Sequence, residues 1–561
     1  MSPLGIHLAY RNVRRLRTIV TTLARHGFYP VMERLRLGGL VSLPERLLGR
    51  KRARERDAFT LPARARMAFE QLGPTFIKFG QILSTRPDIV PEEFVAEFLK
   101  LQDEVAPIPF EEVRAVIEEE FSRPAGELFE SIDETPLAAA SIAQVHRAVT
   151  TGGRDVVIKV QRPGLEEKIT TDVAILRYMA GLLHRYVPES RLYDPVAIVD
   201  EFDVTVRREM DFSMEASFME RFRRNFADDP RVIIPKVCWS RTGRKVLTMD
   251  PVTGIKIDQV ERLREAGMDT RKLARLLADV FFRQVFEFGL FHGDLHSGNI
   301  FVLSEERIAL VDFGIVGRID RQMQENLADI FIGIVKEDYE RLTDVYLRLG
   351  ILPEEIDEAA FRRDYQDILL HYFGRPLGAA RLDDFLREYA KLSARYNIRM
   401  PRDLLLFDKC LMELEGLGRL LNPHQNIVAE SEPYVKSLVK RRLSPETLAR
   451  EGLETMREYK EFIERFPALS GQLLKKVLSD KMRVQFVHRG LEEFMGEMDR
   501  SSNRLTFGLI VAAMVVGSSM ITASESGPTF MGYPVLGMVG FSIAAVLGLW
   551  LAFLIIRSGK Y

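Results

Sequence analysis

Apolar residues recur at helical spacing between Leu61 and Phe121, and Pro74, Pro87, Pro91, Pro107 and Pro109 divide that stretch into several short helices. From Glu127 to Asp250 the period changes to that of strands. Ala143 to Val149, Asp155 to Val160 and Lys245 to Met249 form the strand runs, with Gly152 and Gly153 as the hairpin turn between the first two. One long helix, about Pro195 to Asn225, interrupts them. Beyond Asp258 the helical period continues to about Met498, broken at Ile300 to Asp312, where two apolar runs flank Ser304-Glu305-Glu306 as a second hairpin. The order predicts an α+β fold of two lobes, a small sheet with one helix followed by a helical lobe carrying a hairpin.

Two stretches stand apart. Leu505 to Ala523 and Val535 to Ile556 are apolar and uncharged, each near the ~20 residues that cross a bilayer. They predict a C-terminal transmembrane helical hairpin. Arg504 precedes the first span and Arg557 and Lys560 follow the second, while Ser524 to Tyr533 carries no basic residue. Both ends are therefore expected on the cytoplasmic side of the membrane.

The sequence divides into a basic amphipathic N-terminal region (1–60), a helical extension (61–126), a first lobe (127–255), a second lobe (256–430), a helical region (431–503) and the two spans (505–556). Lys and Arg number 79 against 80 Asp and Glu, for a net charge of −1. This near balance argues against a nucleic-acid partner and makes a local basic cluster the more informative feature. Such a cluster, Arg50 to Arg56, lies in the Arg-rich stretch from Leu16 to Arg66, which is either a surface for anionic lipid headgroups or a solvated charged face. Met1 to Pro30 has no apolar core of the signal-peptide kind. The two cysteines, Cys238 and Cys410, have no metal or redox spacing, which suits a reducing compartment.

Four clusters carry chemistry. Lys159 lies on the Asp155 to Val160 strand, facing away from the side its apolar neighbours bury, where an ammonium can reach phosphates. Glu209, Asp211 and Glu215 fall close together on the long helix; Asp211 and Glu215, one turn apart, share a face that opens either on a cleft or on solvent. His292-Gly293-Asp294-Leu295-His296-Ser297-Gly298-Asn299 holds the D-x-x-x-x-N spacing of a kinase catalytic loop. There Asp294 would act on the attacking hydroxyl or water and Asn299 would bind Mg²⁺. A zinc site from His292, Asp294 and His296 is the rival reading. Asp312-Phe313-Gly314 ends a strand, and Asp312 would hold Mg²⁺ against phosphates. Where ordinary kinases have a glycine-rich loop, Pro136 to Ala143 is alanine-rich, and alanine is less free to adopt positive φ.

Together these residues resemble the UbiB family, the atypical kinase-like proteins of ubiquinone biosynthesis also called AarF or ADCK proteins. The resemblance covers roughly Arg66 to Gly317. It rests on Lys78-Phe79-Gly80-Gln81 (K-x-G-Q), Ala138-Ala139-Ala140-Ser141, Lys159, Glu209-Met210-Asp211 (E-x-D), Glu215, Asp294, Asn299 and Asp312. It implies a bilobal protein-kinase-like fold with ATP and Mg²⁺ as cofactors. Lys159 would pair with Glu215, and Ala138 to Ser141 would lie against the nucleotide. Lys78 would reach toward Glu209 and Asp211, with Asn299 and Asp312 on the metal and Asp294 as base. The expected activity is ATP hydrolysis in support of coenzyme Q synthesis, with membrane lipids, quinone intermediates and ubiquinone-biosynthesis proteins as partners. A protein or small-molecule kinase and a nucleotide-binding pseudokinase scaffold are the alternatives. His292-Gly293-Asp294 departs from H-R-D and is similar to the loop of small-molecule phosphotransferases; Asp320 to Asn503 carries no readable motif.

Overall fold

The computed structural model describes residues 3–40, 59–86, 89–101, 106–350, 353, 356–373, 382–396, 398–425, 427–442, 491–524, 528–530 and 533–557. The basic run Arg50 to Arg56 lies outside them. The chain forms two compact units, residues 1–449 and 450–561.

In the first unit, the N-terminal helix Pro3–Leu23 buries Ile19 and Val20 against the protein. Over the residues whose side chains are described, Ile19 and Val20 are covered by the chain itself, while Val13, Arg14 and Arg17 face outward. Arg66, at the end of the basic stretch, pairs with Glu97 at 2.9 Å. The helices Leu61–Leu72 and Pro74–Ser84 meet at Gly73, whose φ of 95° only glycine adopts without strain. Thr60 caps the first by accepting the Ala63 N–H, and Pro74 starts the second, where a missing N–H costs nothing.

The first lobe is a five-stranded antiparallel sheet ordered β1 (Phe129–Ile132), β3 (Ala143–Thr150), β4 (Asp155–Gln161), β6 (Val246–Met249), with β2 (Ala138–Ala139) on β3. The hairpin turns at Gly153, φ 71°. Val156, Ile158 and Val160 of β4 face a core shared with Val113 and Ile117 of the helix Phe110–Phe121. Lys159 is thereby turned to the opposite face.

Helical content between β4 and β6 exceeds the expected single helix. Leu165–Tyr186 is a 22-residue helix, buried along Leu165, Ile169, Val173, Leu176 and Ala180 at helical spacing. The stretch from Pro195 to Asn225 is two helices, Pro195–Glu209 and Phe212–Asn225. The break falls at Asp211, which is extended and turns its carboxylate onto the Ser213 N–H at 3.1 Å as the cap of the second helix. Asp prefers this role to a helix interior because its short side chain competes for backbone donors.

The second lobe is built on the helix Thr270–Phe286, buried on most sides and capped by Asp269. Phe281 stacks on Phe407 at 5.8 Å, and Phe282 meets Phe331 and Tyr434 at 5.9 Å each, which brings the helices Arg402–Leu421, Arg321–Lys336 and Ile427–Arg442 around it. The last of these crosses the expected boundary at 430. Four strands, β5 (Val232–Ile233), β7 (Ile255–Lys256), β9 (Ile300–Ser304) and β10 (Arg307–Leu310), make a second sheet ordered β5-β10-β9-β7. The expected hairpin is β9–β10; the short pair β8 (Leu290–His292) and β11 (Val316–Arg318) lies outside the sequence-based expectation.

Among its described residues the second unit holds two helices, Leu491–Ala523 and Val535–Arg557. Their apolar segments, Ser501–Ala523 and Val535–Ala552, have mean hydropathy 2.0 and 2.2 and are long enough to cross a membrane. Leu509, Leu536 and Leu549 point outward, as lipid-facing side chains would.

Candidate active site

Lys159 Nζ lies 3.0 and 2.9 Å from the two oxygens of Glu215 and 3.3 Å from Asp312 Oδ1. The β4–β6 pairing fixes the lysine, the Asp211 cap fixes the helix carrying Glu215, and Phe313 packed on Phe222 at 4.8 Å anchors the Asp-Phe-Gly turn. Burial pulls the Lys159 ammonium down, but the Asp312 and Glu215 carboxylates outweigh it and hold the lysine above its ordinary range. Asp312 sits at φ 61°, left-handed for a non-glycine residue, the kind of backbone strain that gathers at functional sites. Burial pushes its carboxyl up; Lys159 most of all, with Lys78 adding, brings it below the usual range.

Lys78 is 3.4 Å from Glu209 Oε2. Asp211 does not join this pair: it caps its helix and faces Arg244 at 3.7 Å. Asp211 and Glu215 therefore do not open on one cleft, because the helix break turns their carboxylates to different partners. The glycine of Lys78-Phe79-Gly80-Gln81 has a packing reason, since a Cβ on Gly80 would stand 2.3 Å from Leu101 and 2.9 Å from Phe69. Gln81 Nε2 donates to the Leu101 carbonyl at 3.1 Å. The helix is thus seated closely on its own extension.

The catalytic loop is fixed from behind. His292 uses both ring nitrogens, Nδ1 accepting the Asp294 N–H at 3.1 Å and Nε2 donating to the Val311 carbonyl at 3.0 Å. It is fully buried and has no nitrogen left for zinc; among the described residues no cluster of three or more His, Cys, Asp or Glu is arranged to hold a metal. Asn299 Nδ2 donates to the Asp294 carbonyl at 3.0 Å, which leaves the amide oxygen as its acceptor end. The Val311 N–H donates to the Asn299 carbonyl at 3.0 Å, stitching the Asp312 segment to the loop.

The residue that sequence reasoning missed is Lys409. It reaches Asp294 Oδ1 at 2.7 Å from the helix Arg402–Leu421, with Glu413 at 3.5 Å on its other side. His296 Nε2 is 3.5 Å from Asp294 Oδ2. Burial pushes Asp294 up, but Lys409 chiefly outweighs it, and the carboxyl is held at about 2. No local motif marks Lys409, which lies 115 residues after Asp294.

A cleft of about 720 Å³ opens here, lined by Lys78, Gln81, Glu209, Asp294, His296 and Lys409 among others. Ala138, Ala139, Ala140 and Ser141 do not line it. Ala138 and Ala139 are on β2, Ser141 is buried, and Arg162 Nε donates to the Ala140 carbonyl at 2.8 Å. Lys159, Glu215, Asn299 and Asp312 do not line it either; they are tied to its lining residues through Lys78 acting on Asp312 and through the Asn299–Asp294 hydrogen bond.

The arrangement has relatives. The family described as the ABC1 atypical kinase-like domain matches residues 100–346, the UbiB helical domain residues 365–426 and the ABC1/UbiB kinase-like C-terminal domain residues 489–557. A Clostridium pasteurianum protein, described as an uncharacterized protein in the hydrogenase 1 5′ region, is 32% identical over 98% of this chain and 99% of its own. "Probable protein kinase UbiB" of Marinobacter nauticus is 34% identical over 82% of this chain and 84% of its own. A Mycobacterium tuberculosis protein solved in complex with erythromycin superposes with a TM-score of 0.47 at 24% identity, over 63% of this chain and 90% of that one. On the strength of the full-length relatives and the three domain matches, the chain belongs to the ABC1/UbiB family of atypical kinase-like proteins.

Proposed function

We propose that this protein is a membrane-anchored, Mg²⁺-dependent ATP-hydrolysing enzyme of kinase-like fold that supports ubiquinone biosynthesis. The observation that carries the reading is the coexistence of a complete phosphoryl-transfer set with a helix held over it: Lys159–Glu215, Asp294, Asn299 and Asp312 beside the Lys78–Glu209 pair. Oxygen donors suit a hard cation, and Asn299 and Asp312 would hold Mg²⁺, which when bound neutralises phosphate charge. Lys159, fixed by Glu215, orients α- and β-phosphates. Asp294, kept ionised by Lys409, accepts the proton of the attacking water. The helix Pro74–Ser84 lines the cleft where a peptide would dock, leaving room for water or a small ligand.

The test compares purified wild type with Lys78→Ala for ATP hydrolysis and for radiolabel transfer to itself and to generic peptides. Wild type should hydrolyse ATP with little transfer to peptides. The variant should gain self-labelling, because its helix has lost the ion pair to Glu209. Efficient peptide phosphorylation by wild type, unchanged in the variant, would instead support the protein-kinase reading that the names of the relatives suggest.

The apolar helices and the flanking basic residues support the reading of an anchor in a bacterial inner membrane with the catalytic unit on the cytoplasmic side. Deleting residues 505–561 should release the protein from carbonate-resistant membranes, leaving at most salt-sensitive binding through the N-terminal arginines. Retention of the truncated protein after both high salt and carbonate would contradict this.

A further inference from the structure

Of the two histidines in the catalytic loop, His292 is spent behind it, whereas His296 lines the cleft and is half-exposed. Its ring is nevertheless held in place. Nδ1 accepts the Gly298 N–H at 3.0 Å and so caps the single 3₁₀ turn Ser297–Asn299. A Cβ on Gly298 would stand 2.7 Å from Cε1 and 2.9 Å from Nδ1 of this ring, so the glycine makes room for the imidazole. Ser297 Oγ donates to Asp258 Oδ2 at 2.6 Å and ties the same turn to another cleft residue. Three consecutive residues thus serve to seat one ring on the turn between Asp294 and Asn299.

With Nδ1 as acceptor, the neutral ring carries its hydrogen on Nε2. That nitrogen faces Asp294 Oδ2 at 3.5 Å, longer than a hydrogen bond, and among the described residues it hydrogen-bonds to nothing else. The other oxygen of the same carboxylate, Oδ1, already takes Lys409 at 2.7 Å. Lys409 is steadied in turn by Glu413 Oε1 at 3.5 Å, and the second Glu413 oxygen is buried without a hydrogen-bond partner. A carboxylate gripped at one oxygen can still turn about its Cβ–Cγ bond; one gripped at both cannot. Hydrogen bonds that are long in an unliganded enzyme tighten once the substrate is in place.

We propose that His296 is a positioning residue for the hydrolytic reaction: its Nε2–H closes onto Asp294 Oδ2 when nucleotide fills the cleft, and together with Lys409 on Oδ1 it fixes the plane in which the carboxylate meets the attacking water. This rests on the ATP-hydrolysing reading above. His296 acts through Asp294 and touches neither phosphate nor metal in this role. Its contribution therefore falls on turnover and not on nucleotide affinity, because what it supplies is the orientation of the group that addresses the water.

Two substitutions separate the tasks of the two ring nitrogens. His296→Asn keeps an oxygen near the place of Nδ1, able to accept the Gly298 N–H as an Asx turn, and has nothing at the place of Nε2. His296→Gln keeps an amide N–H near the place of Nε2 and lacks the capping acceptor. Hydrolysis of Mg·ATP is measured on the full-length protein in lipid nanodiscs. His296→Asn should lower kcat roughly tenfold or more and change KM for ATP less than about twofold. His296→Gln should stay within about threefold of wild type. Combined with Asp294→Asn, His296→Asn should cost almost nothing further, because the residue through which it acts is already lost. Stabilisation by Mg·ATP, kept in the His296 variants, shows that they are folded. A His296→Asn protein as active as wild type, or a His296→Gln protein at least as impaired as His296→Asn, would show that the ring only caps its turn and would overturn the proposal alone. Wild type that binds Mg·ATP without hydrolysing it would overturn the ATP-hydrolysing reading and the proposal with it.

Discussion

Asp312→Asn is expected to abolish stabilisation by Mg·ATP, while Asp294→Asn keeps most of it and loses turnover. Asp312 combines two tasks. Its carboxylate is the charged oxygen donor beside Asn299, and it is one of two carboxylates around Lys159. An amide keeps the shape but loses the charge that a hard cation needs, so metal and phosphates are uncoupled from the protein. Asp294 contacts Lys409 and His296 and in the proposed reaction would act on the water, so its loss should fall on the chemical step. We expect roughly a hundredfold or greater loss of nucleotide affinity for the first variant and less than about threefold for the second, on the scale of about 1.4 kcal/mol per tenfold. Thermal shift with Mg·ATP checks both. In a strain lacking the protein, quinone content should be restored by wild type and not by Asp312→Asn; normal quinone levels in the unrescued strain would remove the biosynthetic reading. Equal loss of Mg·ATP affinity in the two variants would contradict the division of roles.

Arg15→Ala should be the most damaging single change in the N-terminal helix. The Arg15 guanidinium donates to both oxygens of the fully buried Asp172, at 2.6 and 2.9 Å, and to the Leu72 carbonyl at 2.9 Å, and lies over the Phe76 ring at 5.9 Å. One side chain thus ties the N-terminal helix to Leu165–Tyr186, to the end of Leu61–Leu72 and to the helix that carries Lys78. Removing it leaves a buried carboxylate without its guanidinium, which costs about 3–5 kcal/mol. The lower end is expected, because Lys168 lies near enough to Asp172 to feel its charge and can take over part of the pairing. Urea unfolding of full-length protein measures the loss. Arg15→Met combined with Asp172→Leu should recover much of it, because no buried charge is then left uncompensated. Amide exchange across Pro74–Ser84 should rise in Arg15→Ala, since the Lys78 helix loses its support from below. Unchanged stability would show that the contact is not maintained in solution.

Much of the candidate site is legible in the sequence because it is local. The D-x-x-x-x-N spacing lies within one loop, the Asp-Phe-Gly turn ends one strand, and strand alternation alone sends Lys159 away from Ile158 and Val160. The two membrane-length helices are equally local, a matter of length and the absence of charge. The helix Leu165–Tyr186 is local in the same sense, since its buried positions keep helical spacing.

Other features needed the fold. The break at Asp211 reads as continuous helix in the one-dimensional pattern, because capping depends on where a carboxylate finds a backbone N–H. The partners of Arg15 and Arg66 lie far along the chain, so a basic amphipathic stretch looks the same whether its charges meet headgroups or buried carboxylates. Lys409 shows the limit most clearly: it lies 115 residues after Asp294 and yet reaches its carboxylate at 2.7 Å. The sequence by itself determined the local geometry of the candidate site residues and the apolar length of the two C-terminal helices. Only the tertiary structure decided which distant charges neutralise them, because desolvation and Coulomb attraction act through space and not along the chain.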